Sequence, residues 1–272
     1  MPNSVNTNVG AMVALQNLNQ TNNELTVTQS RINTGKKVAS ARDNGAVWAI
    51  AQNQRAASNA LNSVRESLQR GQSTVEVAIS AGESVSDLLL QMKEKALAAA
   101  DAGLDATSRA ALADEFASLK GQISKAVANA EFNGGNMLKQ AGTTVQSLAN
   151  SDATSRITVA AQTLTLSALS IQSSTLGTKT LASTAIGLIN SAITEVSSKL
   201  SKLGTGAKAL GSHLTFVNKL QDTIDAGVGN LVDADLAKES ARLQALQTKQ
   251  QLGVQALSIA NQSSSILLGL FR

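Results

Sequence analysis

Residues 47–99 read VWAIAQNQRAASNALNSVRESLQRGQSTVEVAISAGESVSDLLLQMKEKALAA, and their spacing decides the fold. Alternating steps of three and four connect Ile50, Gln54, Ala57, Leu61, Val64, Leu68, Gly71, Val75, Ala78, Gly82, Val85, Leu89, Met92, Ala96 and Ala99. Only Gln54 is a polar side chain on that seam, and such a pattern predicts one long amphipathic helix. At 1.5 Å per residue an unbroken helix here is roughly 75 to 80 Å long. A repeat averaging 3.5 residues predicts left-handed supercoiling against partner helices.

A second seam of equal quality runs through Ala182, Ile186, Ile189, Ile193, Val196, Leu200, Leu203, Ala207, Leu210, Leu214, Val217, Gln221, Ile224, Val228 and Leu231. Between them, Asp105, Thr107 or Ser108 offers a cap to a shorter return helix carrying Leu112, Phe116, Leu119, Ile123, Ala126 and Ala130. Two long apolar seams need each other, so they are expected to pack lengthwise with the 112–130 helix completing a bundle. Asn133, Gly134 and Gly135 in EFNGGNML (131–138) signal a turn. Beyond them, Ile157, Val159, Leu164 and Leu166 alternate with Thr, Ala and Gln, which predicts short strands and a hairpin near 143–172.

Composition narrows the function classes. The 272 residues include Phe 4, Trp 1, Tyr 0 and Cys 0, so the core rests on Leu, Ile, Val and Ala, and disulfides and thiolate chemistry are excluded. The one proline is Pro2, so nothing later forbids continuous helix. A formal charge of +4 is too weak for a nucleic-acid footprint. No Sec-type leader is expected at the amino terminus and no membrane span anywhere. His213 is the only histidine and reads as a helix-surface residue; no catalytic residue, metal ligand or cofactor is assigned. GTGAKALG at 204–211 lacks the Gly-Lys-(Ser/Thr) order of a phosphate loop and reads as helix packing through small residues.

The two ends differ from the middle. Leu18, Leu25 and Ile32 repeat every seven residues, with Leu15, Asn22 and Gln29 as the alternate positions. The last segment mixes Leu236, Leu243, Leu246, Leu257, Leu267 and Phe271 with many amides. Seams this polar do not sustain isolated helices. They are candidates for burial between molecules. Residues 29–46, QSRINTGKKVASARDNGA, read as the junction between the amino-terminal helix and the strong seam. Its Arg31, Lys36, Lys37 and Arg42 form either a solvated linker or contacts to carboxylates of neighbouring subunits.

At both ends the chain resembles bacterial flagellin. The linker fits an Arg-x-x-(Ser/Thr)-Gly-basic-x-x-x-Ala-x-Asp-(Asp/Asn) pattern through Arg31, Thr34, Gly35, Lys36, Ala41, Asp43 and Asn44. The carboxyl end resembles the family through Asp233, Asp235, Ala260, Asn261, Gln262, Leu270, Phe271 and Arg272, and EFNGGNML is similar to its Phe-Asn-Gly turn. The resemblance implies a mainly α protein: a long coiled-coil-like bundle (D1, 43–229) with a small β-hairpin module near 131–180, and paired terminal helices (D0, 1–42 and 230–272). It also implies a secreted subunit of the flagellar filament in swimming motility, of the short alphaproteobacterial type, exported by the flagellar type III apparatus. Its implied partners are further copies of the chain, paralogous flagellins, hook-filament junction and cap proteins, and an export chaperone, with no nucleic acid. Leu18, Leu25, Ile32, Leu243, Leu246, Leu257, Leu267 and Phe271 are the expected subunit-interface residues. The stretch comparable to the family's innate-receptor contact, Leu89–Lys95, holds no arginine, so weak receptor activation is expected. The alternatives are an intracellular coiled-coil scaffold and a membrane-surface protein.

Overall fold

The computed structural model describes residues 7–269, with the side chains of 263–269 left undescribed. Among the described residues there are five helices and one hairpin: α1 (Val9–Thr34), α2 (Gly45–Ala99), α3 (Ala106–Asn129), β1 (Val145–Leu148), β2 (Arg156–Val159), α4 (Lys179–Val232) and α5 (Leu236–Gly269). The chain divides into two compact units. One holds the residues up to Ala56 with those from Thr223 on; the other holds Ala57 to Asp222.

In the 57–222 unit the α2 seam faces inward as its periodicity dictates, whereas α3 buries Val127 rather than Ala126, and α4 buries Ala185 and Ala192 beside half-buried Ile186 and Ile193. Leu61, Val64, Leu68, Val75, Val85, Leu89 and Met92 of α2 are buried, as are Phe116, Leu119 and Ile123 of α3 and Ile189, Val196, Leu203, Leu210 and Val217 of α4. Asp105 caps α3, accepting a 2.7 Å bond from the Ser108 amide. Gln221, the polar member of the α4 seam, donates 3.1 Å to Asn62 Oδ1 and 3.4 Å to the Ser58 carbonyl, so its amide stays bonded within the bundle.

The α2 register departs from the expected one at its amino end. Ile50 is 51% exposed and Gln54 is exposed, whereas Ala51 and Ser58 are buried. The seam there is displaced by one residue, and two successive steps of three, Ser58 to Leu61 to Val64, absorb the shift. Likewise Val232 rather than Leu231 is buried at the end of α4.

The turn after α3 is held by a residue that the sequence pattern did not single out. Asn133 and Gly134 adopt φ 49 and 78, the left-handed pair of a two-residue turn, and Phe132 and Gly135 exchange backbone bonds of 3.0 and 2.9 Å across it. Asn136 then folds back under the helix end. Its amide nitrogen donates to the Val127 and Ala128 carbonyls at 2.8 and 3.2 Å, and its oxygen accepts from the Leu138 and Lys139 amides at 2.8 and 3.1 Å.

β1 and β2 pair antiparallel, with Val145 opposite Val159 and Leu148 opposite Arg156. Leu164 and Leu166 lie outside any strand; the Leu164 amide bonds instead to the Leu138 carbonyl at 2.8 Å, and its side chain is buried. The hairpin seats on small residues. A Cβ at Gly206 would come within 2.5 Å of Val159, and one at Gly71 would overlap the Ser147 hydroxyl. The GTGAKALG stretch is therefore helix packing. His213 is more than a surface residue: its Nε2 lies 2.8 Å from the Ala149 carbonyl and ties α4 to the hairpin. Lys120 holds the following loop, donating to the Gln172 and Ser174 carbonyls at 3.1 and 2.8 Å, and desolvation lowers its pKa.

Candidate functional site

The site that the sequence pointed to is the pair of terminal helices and the linkers at their base. Asn8 caps α1, its side-chain oxygen accepting from the Ala11 amide at 3.0 Å. Gly35 ends α1 in the left-handed conformation at φ 67, open to a glycine without strain. The chain then crosses the segment that precedes α5. The Ala234 amide donates to the Gly35 carbonyl at 2.9 Å, and the Lys37 and Val38 amides reach the Val232 carbonyl at 2.7 and 3.2 Å, closing a Lys36–Asp233 bridge. Beneath this clip Val38, Ala51, Val228 and Val232 form a buried cluster with Val47, Trp48 and Ile224 against it.

Of the linker signature residues, Asp43 and Asn44 act locally. Asp43 Oδ2 accepts from the Ala39 amide at 3.0 Å, the Ser40 amide at 2.9 Å and the Ser40 hydroxyl at 3.1 Å. The Ser40 amide is the main reason its pKa falls below the ordinary carboxylate value. Asn44 caps α2, taking a 3.1 Å bond from the Val47 amide. Arg31 reaches Glu239 of α5 at 3.1 Å inside the same chain, and Lys36 is drawn into the backbone bridge.

Above the clip, α1 and α5 pack antiparallel on a seam that interleaves Leu18, Leu25, Ile32, Leu243, Leu246 and Leu257 with polar side chains. Its buried members are Thr21, Thr28, Glu239 and Leu246. Gln250 donates 2.7 Å to Asn22, Arg242 lies 3.6 Å from Glu24, and Asn8 donates 2.7 Å to the Ala260 carbonyl. Leu18 packs on Gly253, where an added Cβ would lie 3.3 Å from its methyl. The Thr21 hydroxyl returns to the Asn17 carbonyl at 2.9 Å, so its methyl is what the partner helix meets.

This seam revises the expected roles. Thr21 and Thr28, not Leu15 and Gln29, alternate with Leu18, Leu25 and Ile32, because both sets satisfy a three-four spacing and the smaller side chains admit the close approach of α5. Leu18, Leu25, Ile32, Leu243 and Leu257 are half-buried, and Leu246 is only 5% exposed, already covered within one chain. The side chain of Leu267, and Phe271 with Leu270 and Arg272, lie outside the described residues.

What stays bare is the opposite face. Val9, Met12, Val13, Leu15 and Val27 of α1, and Leu252, Val254 and Ile259 of α5, are each about half exposed or more. Val9, Met12, Val13, Leu15, Gln16 and Asn19 line a shallow groove of about 680 Å³ along α1. The seven-residue spacing places Leu15 on the seam and does not mark Val9, Met12, Val13 or Val27, since an apolar residue on an amide-rich helix has two candidate faces until its partner is known. In the other unit, Leu89 and Met92 of the receptor-comparable stretch are buried, and Lys95 lies 2.7 Å from Glu115, whose hydrogen bond raises the lysine pKa.

Paired terminal helices that leave apolar side chains exposed on their outer faces are candidates for contact with another molecule. Residues 5–143 match the family described as the bacterial flagellin N-terminal helical region, and residues 186–271 the bacterial flagellin C-terminal helical region. Flagellin FljK and flagellin FljM of Caulobacter vibrioides are each 59% identical to this chain over 271 residues, covering 99% of both sequences. A flagellin of Brucella melitensis is 38% identical over 282 residues, covering 99% of both. The crystal structure of Bacillus cereus flagellin shares the fold at a TM-score of 0.52, with 22% identity, over 56% of this chain and 88% of that one. The chain belongs to the bacterial flagellin family. It is a structural subunit of the extracellular flagellar filament and not an enzyme, which sets aside the scaffold and membrane-surface alternatives.

Proposed function

We propose that the outward faces of α1 and α5 are the surfaces through which copies of this chain join, and that the mixed seam between these helices fixes their register first. The supporting observation is that a mixed seam of leucines, threonines and amides lies inside while Val9, Met12, Val13, Leu252, Val254 and Ile259 stay exposed outside it. Each such side chain withdrawn from water stabilises the polymer by about 1.5–3 kcal/mol before ordering costs are subtracted. Leu18, Leu25, Ile32, Leu243, Leu246 and Leu257 then serve the subunit interface indirectly, by holding the two helices together; Leu267 and Phe271 extend the contact. On this reading 1–42 and 230–272 form the inner filament layer and 43–229 the next. Paralogous flagellins with the same faces co-assemble, junction and cap proteins meet those faces at the filament ends, and an export chaperone shields them beforehand.

The test replaces Val13 and Ile259 together by aspartate in the full-length chain and follows seeded polymerisation by sedimentation and electron microscopy. Helix content is expected to stay at the parent level while filaments disappear. Asn33→Asp, an exposed change on α1, is expected to polymerise normally. Filaments from the double variant at parental concentrations would refute the reading.

A further inference from the structure

Of the four methionines, Met92 and Met137 have no exposed surface and Met1 lies outside the described residues, whereas Met12 is 63% exposed. It stands in the middle of the groove on the outer face of α1, with Val9 and Val13 beside it and Gln16 one turn on. The thioether is the one oxidisable group of that face, since the chain has no cysteine and no tyrosine.

We infer that Met12 is a reversible oxidation site that decides whether a free subunit enters the polymer; the inference rests on the reading that another copy covers this face. The oxidant is hydrogen peroxide. A sulfur lone pair takes one peroxide oxygen as the O–O bond breaks, and the other oxygen leaves as water. Sulfur is oxidised by two electrons to the sulfoxide and peroxide is reduced by the same two. In the free subunit the new S=O is hydrated at little cost, because the groove is open to solvent. When another copy covers the groove, the sulfoxide loses that bulk water beside Val9, Val13 and Leu15. The buried Met92 and Met137 are shielded from the same reagent, so among the described methionines Met12 alone responds while the bundle keeps its packing.

The experiment treats full-length free subunits with hydrogen peroxide, maps each methionine by peptide mass, and measures seeded assembly. Met12 is expected to oxidise at least roughly tenfold faster than Met92 or Met137, and the critical concentration for assembly to rise roughly tenfold or more. Methionine sulfoxide reductase restores assembly of the same sample. Met12→Leu, which keeps Met1, assembles undiminished after peroxide. Unimpaired assembly of subunits shown to carry the Met12 sulfoxide overturns the gate, as does preferential oxidation of Met92 or Met137. A parallel treatment of preformed filaments separates this failure from that of the underlying reading. Met12 oxidised as fast in filaments as in free subunits removes the covered face and the gate with it; Met12 protected in filaments, with sulfoxide subunits still assembling, removes the gate alone.

Discussion

Asn136 has no exposed surface, and all four hydrogen-bonding positions of its amide are used, two on the last carbonyls of α3 and two on the chain that follows. Alanine there leaves those backbone groups without partners in a dry site. Asn136→Ala is expected to destabilise the 57–222 unit by about 3 kcal/mol, read as a lowered denaturation midpoint of the full-length chain. Asp43 is a different case, an exposed carboxylate whose pKa is depressed mainly by the Ser40 amide. A depressed carboxylate contributes stability that is complete above the ordinary aspartate value near 3.8 and disappears as pH falls through the lower folded value. The Ser40 amide resonance is therefore expected to hold its bonded position through the ordinary aspartate range and move only below it. In Asp43→Asn that acid step should vanish.

The elements show what the spacing of residues can and cannot reveal. From Leu61 to Ala99 the positions read as inward are the ones that bury, because a long two-sided contact rewards one phase of the three-four repeat. In α4, Ala182, Ile189, Val196, Leu203, Leu210 and Val217 bury, but Ala185 and Ala192 are buried where the spacing predicts Ile186 and Ile193, which stay half-buried. At the ends the phase is ambiguous. Leu15 and Thr21 both fit with Leu18, and only the presence of α5, with Gly253 against Leu18, selects the threonine. Asn136 was hidden for another reason: its role is a closure between sequence-distant carbonyls, which periodicity does not encode. The linker was more legible, since capping and turn residues act within a few positions, as Asp43 and Asn44 do. The hairpin depends on absent side chains at Gly71 and Gly206, and this gives a prediction at the level of the element. Gly206→Leu drives a branched side chain into Val159, at an expected cost of about 1–3 kcal/mol. Because Gly206 lies inside α4, helix content should persist while amides of β1 and β2 lose protection from hydrogen exchange. Uniform loss of protection across the bundle would instead show that the hairpin is not a separable seat.

For the whole chain, the decisive feature is that its first and last helices cover each other's mixed seams while Val9, Met12, Val13, Leu252 and Ile259 stay exposed. The backbone clip at Gly35–Val38 and Val232–Ala234 closes before either terminal helix begins its pairing, and the Val38, Ala51, Val228 and Val232 cluster lies on the clip's other side. A chain ending at Asp235 keeps both the clip and the cluster while removing α5. In that truncated chain α1 loses Glu239 from Arg31, Gln250 from Asn22 and Gly253 from Leu18, and a 26-residue helix with so few apolar contacts of its own is marginal in water. Circular dichroism is therefore expected to fall by more than the removed residues account for, the excess corresponding to α1. The thermal transition of the 57–222 unit should stay in place, and no filaments should form from seeds. If the truncated chain keeps α1 helical, judged by protected amides from Val9 to Thr34, the amino-terminal helix owes its order to itself. The mixed seam would then not be what sets the outer faces in register.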